Sequence, residues 1–139
     1  MLKVEAGFSI GEGFFSSEPI PTEIDFNGHV ATFFLRTPSE EFREAMRLRL
    51  IEIKEQMSKL GESDTTALAT LIAKTETIQK DALAHYVTGW DDLEDNAGNA
   101  IPYTPANRDK LAVVEVTYKV INELVATLIT AKHEATEKN

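Results

Sequence analysis

The sequence predicts an α+β fold, with an N-terminal β-hairpin followed by three long helices packed as a small helical bundle. Three observations carry this. Asn27-Gly28 stands between two short apolar-rich segments, the first of which alternates polar with apolar, and that combination marks a two-residue hairpin turn. Two later stretches repeat apolar residues in steps of three and four, the period of one helix face. Thr37-Pro38 and Thr104-Pro105 each precede a helical pattern, where threonine suits the cap and proline the first turn.

In chain order, residues 1–19 interleave Gly7, Gly11 and Gly13 with Phe8, Ile10, Phe14 and Phe15. They read as an irregular or edge-strand lead whose phenylalanines pack on the core. The Gly-x-Gly is not a phosphate cradle, because Ser16, Ser17, Glu18 and Pro19 follow in place of a Gly-Lys-Ser/Thr or a third glycine opening a helix. Residues 20–36 form the hairpin. Its second strand, His29 to Arg36, is apolar for longer than strict alternation allows, which predicts helices on one face and partial cover on the other. His29 reads as a solvated turn residue.

Residues 37–133 make up the helical part, interrupted by a loop at 89–104. The first helix has Thr37 as N-cap, Pro38 at the first helical position and Glu40 completing a capping box. Phe42, Met46, Leu50, Ile53, Met57 and Leu60 form one stripe, and Gly61 supplies a left-handed stop. The two methionines read as core filling rather than a partner groove. After Glu62-Ser63-Asp64 a second helix runs to about Val87, with Leu68, Leu71, Ile72, Ile78, Leu83, Tyr86 and Val87 on its apolar side. The short connection makes the two helices antiparallel neighbours. Threonines at 65, 66, 70, 75 and 77 lower its intrinsic propensity, so packing must hold it.

The third helix starts at Thr104-Pro105. Leu111, Val114, Tyr118, Ile121, Val125 and Leu128 give the most regular stripe in the chain, and Val113, Val116, Val120, Leu124 and Ile129 widen it. Such width implies burial on two sides, inside the domain or against a partner or a second copy. Residues 134–139 read as a flexible polar tail. The whole length, 139 residues, is that of one ordinary domain.

Composition removes several function classes. There are no cysteines, hence no disulfide, thiolate nucleophile or cysteine-ligated metal. A net charge of −9 from 23 acids and 14 bases argues against a nucleic-acid partner, since phosphate binding needs clustered Lys and Arg. No stretch approaches the roughly 20 apolar residues that span a bilayer, so no membrane role is expected. The opening residues, with Glu5 and Glu12, do not read as a signal peptide, and a cytosolic location follows as the expectation.

The loop from Gly89 to Asn107 holds the sole tryptophan and the acids Asp91, Asp92, Glu94 and Asp95. A calcium-loop register starting at Asp92 requires glycine at Ala97 and a bidentate glutamate at Tyr103, and both are wrong. No metal or other cofactor is expected. His85 has no paired nucleophile and reads as structural or surface, so no catalytic group is assigned and an enzyme is not expected. Trp90 has two readings. It folds back to cover the helical core with its indole N–H on a partner group, which we favour, or it is an exposed anchor for another protein.

At this loop the chain resembles a known family. Val87-x-Gly89-Trp90, then Asp91-Asp92-Leu93, Gly98 and Ile101-Pro102-Tyr103-Thr104-Pro105-x-Asn107-Arg108 leading into a helix, is similar to the tail assembly chaperones of long-tailed (siphovirus-type) bacteriophages and prophages. Phe33-Phe34-Leu35-Arg36-Thr37-Pro38-Ser39 resembles that family's N-terminal half, so the likeness covers about residues 24–111. The resemblance implies a non-enzymatic virion-morphogenesis factor that binds the tape measure protein and helps recruit tail tube protein. It implies action in the host cytoplasm and absence from the mature virion. It also implies a frameshifted longer form of the chain itself as a partner. The expected partner-contact residues are Trp90, Tyr103, Val113, Val116, Val120 and Leu124. Two rival readings are a structural tail-completion or connector protein kept in the virion, and a small enzyme using the acidic loop with a divalent cation.

Overall fold

The computed structural model describes residues 18–138, with side chains described through Lys132. The lead expected at residues 1–19 therefore falls, for 1–17, outside the described residues. Strands β1 (Ile20–Phe26) and β2 (His29–Leu35) pair antiparallel from Ile20↔Leu35 to Phe26↔His29. Asn27 at φ 55° and Gly28 at φ 96° close the hairpin, the left-handed pair that a type I′ turn needs. The Asp25 carboxylate accepts the Gly28 N–H at 2.6 Å.

Helix α1 (Glu40–Ser58) and helix α2 (Thr65–Tyr86) follow as neighbours, tied by an Arg49–Asp81 ion pair at 3.0 Å. The cap of α1 is Ser39, whose hydroxyl accepts the Phe42 N–H at 3.1 Å, and not Thr37 with Pro38 in the first turn. The backbone explains the shift. Arg36 N–H donates to the Tyr86 carbonyl at 2.9 Å, so the chain stays extended past β2 and turns into the helix two residues later. Gly61 is not a left-handed stop either. Of the described glycines only Gly28 and Gly98 have positive φ, and Lys59 ends α1 in a right-handed conformation.

The largest departure lies after α2. Val87–Asp91 is a third strand, β3, paired antiparallel with β2 through Thr32↔Asp91, Phe33↔Trp90 and Phe34↔Gly89, with an irregularity before Leu35↔Val87. The sheet order is β1-β2-β3. The helix therefore ends at Tyr86, one residue before the expected Val87, and Gly89, expected to open the loop, belongs to the sheet.

The last helical stretch is two elements, α3 (Pro105–Ala112) and α4 (Glu115–Lys138). Thr104 caps α3 by accepting the Asn107 N–H at 3.0 Å, with Pro105 at its start, as the sequence predicts. Val113 and Val114 interrupt it without proline or glycine. The run Val113, Val114, Val116, Thr117 is β-branched, which weakens helix there, and Glu115 then places an acid in the first turn of α4, where the helix dipole favours it. The backbone of residues 134–138, expected to be part of the tail, continues α4.

Phe33, Leu35, Ile78, Leu83, Val87, Ile121 and Val125 are fully buried. The core thus lies between the inner sheet face, α2 and α4. Burial raises the Tyr86 phenol above its ordinary range, with Tyr118 of α4 adding to it. The architecture is α+β, a three-stranded antiparallel sheet with four helices.

Candidate interaction surface

Trp90 and Tyr103 come together, but inside the fold. Trp90 is 7% exposed, lies 5.5 Å from the Phe33 ring and meets Tyr103 edge-on at 4.9 Å. Its indole N–H donates to the Ile101 carbonyl at 2.7 Å. Tyr103 donates its hydroxyl hydrogen to the Val87 carbonyl at 2.8 Å and accepts from an Arg108 N–H at 3.0 Å. Strand β3 aims Trp90 at the inner face, and the 92–104 loop returns Ile101 and Tyr103 over it. Both aromatic side chains spend their polar groups on this closure, so Trp90 covers the core as its favoured reading has it, and Tyr103 is half-buried as part of the seal.

The acidic loop is built by its own acids. Asp95 accepts the N–H groups of Ala97 and Asn99, each at 2.9 Å, and Gly98 at φ 84° completes the turn. Glu94 and Ala100 form an isolated antiparallel bridge. These hydrogen bonds, the Asn99 N–H first, hold the Asp95 carboxyl below the usual aspartate range. Asp92 sits at φ 64°, a left-handed conformation that aspartate tolerates better than most residues, and its carbonyl accepts from His29 Nε2 at 2.5 Å. His29, its side chain 39% exposed beside the turn, stays solvated as expected and also clips the hairpin to this loop, with Nδ1 4.0 Å from the Glu94 carboxylate.

Neither described histidine side chain is paired with a hydroxyl. His85 stacks on Phe42 at 3.9 Å with the planes 6° apart, and the Arg36 Nε–H donates to the His85 carbonyl at 2.6 Å. Desolvation first, then the Arg36 charge, lowers its pKa below the ordinary histidine range. A cleft of about 630 Å³ opens between the start of α1 and α4, lined by Thr37, Pro38, Ser39, Glu40, Arg43, Ile129, Thr130 and Lys132. Among the described residues no group of three or more His, Asp or Glu is placed to hold a metal ion. No described helix is long and apolar enough to cross a membrane.

The remaining four predicted residues lie on the α3–α4 segment and divide in two. Val113 and Val116 are exposed, Val116 at 73%, whereas Val120 and Leu124 are half-buried against the core. Val114, which the stripe predicts to face inward, is exposed as well. The break at 113–114 explains this, because it resets the helical phase between Leu111 and Tyr118. The other exposed large apolar side chains among the described residues are Val30 on β2 and Leu48, Leu50, Ile51, Leu68 and Ile72 on α1 and α2. Leu50, Leu68 and Ile72 belong to the predicted apolar faces but remain open to solvent. Leu48 and Ile51 lie off the α1 stripe, three residues apart, and that spacing is the sequence signal for a second apolar spot on the helix.

No protein-family model, curated protein or solved structure matches the chain.

Proposed function

We propose that this chain is a non-enzymatic tail assembly chaperone of a long-tailed bacteriophage or prophage, binding the tape measure protein, the tail tube protein or both during assembly in the host cytoplasm. The observation that carries the reading is the apolar corner between α3 and α4, where Val113, Val114 and Val116 are exposed together. Solvent-exposed apolar clusters are characteristic of protein-binding surfaces. The three long helices α1, α2 and α4, read as a small helical bundle, serve as the rigid support for that corner. The resemblance of residues 24–111 to the chaperone family supplies the identity of the partners, including a frameshifted longer form of the chain, and the surplus apolar width of the last helical stretch adds a second copy of the chain as a further candidate. The acidic balance, −9, favours keeping an apolar partner in solution.

Co-expression tests the reading. The tape measure or tube protein encoded in the same tail gene cluster should stay soluble with this chain and precipitate without it. Failure to bind either protein overturns the proposal. Mass spectrometry of purified virions separates it from the alternative of a tail-completion or connector protein, because the chaperone should be missing from the particle.

A further inference from the structure

We draw no further inference here: the strongest candidate, the exposed apolar side chains Leu48, Leu50, Ile51, Leu68 and Ile72 along α1 and α2, is an unpartnered helical surface, and nothing in the structure shows what covers it.

Discussion

Replacing Trp90 by alanine should cost this fold a large part of its stability. The indole is 7% exposed, packs on Phe33 and Tyr103, and satisfies the Ile101 carbonyl. Truncating a buried aromatic to alanine costs about 3–5 kcal/mol, against a total of roughly 5–15 kcal/mol for a typical native protein. Trp90→Phe keeps most of the ring but loses the N–H donor, a hydrogen bond worth about 1 kcal/mol net, with more lost because the Ile101 carbonyl is left without that donor. Urea unfolding followed by far-ultraviolet circular dichroism reads both, since the variants lack the sole indole. With a denaturant slope of about 1–3 kcal/mol per molar, Trp90→Ala should lower the midpoint by about 2 M and Trp90→Phe by less than half of that. A midpoint for Trp90→Ala close to wild type would refute the seal and return Trp90 to the surface as an anchor.

Three further outcomes follow from the same geometry. Ser39→Ala should lower stability by about 1 kcal/mol, the usual worth of an N-cap, while Thr37→Ala should change it little; urea midpoints reversed in order would restore Thr37 as the cap. The fold lowers the His85 pKa, by desolvation and then the Arg36 charge, so its contribution is complete above the ordinary histidine pKa and is lost as pH falls from there through its lowered folded value. The difference in melting temperature between wild type and His85→Gln should therefore depend on pH in that window, and a pH-independent difference contradicts the assignment. The lowered pKa of Asp95 means that its turn persists above the ordinary aspartate range and opens as pH falls through the folded value. Amide-exchange protection at Ala97 and Asn99 should follow that course, and Asp95→Ala should lack the protection at every pH.

The parts of the fold visible in the sequence are those set by local chemistry. The hairpin follows from Asn27-Gly28 because only a few residue types take the left-handed pair of conformations its turn needs, and the start of α3 follows from Thr104-Pro105. Strand β3 was hidden because its partner, β2, lies more than fifty residues earlier, and Val87-Thr88-Gly89-Trp90-Asp91 follows α2 with no breaker between. Its β-branched Val87 and Thr88 and its aromatic Trp90 were the available signal. The split at Val113-Val114 was masked by an apolar period that continues across it, and the loss of helix is visible only in the β-branched run. At the candidate surface, periodicity identified Val113 and Val116 as apolar surplus beyond one helical stripe. It was silent on Trp90 and Tyr103, because whether an aromatic faces in or out depends on the strand and loop that position it.

The central claim is that the α3–α4 corner is a contact surface, and calorimetric titration of the purified chain against a soluble segment of the tape measure protein and against the tail tube protein tests it most directly. Val116 is 73% exposed, so Val116→Glu and Val116→Lys should change folding stability by no more than about 0.5 kcal/mol. The account predicts measurable binding by the wild-type chain and, for both variants, at least a tenfold weakening, about 1.4 kcal/mol, whatever the sign of the new charge. Wild-type binding that both variants retain, or no wild-type binding at all, would contradict it.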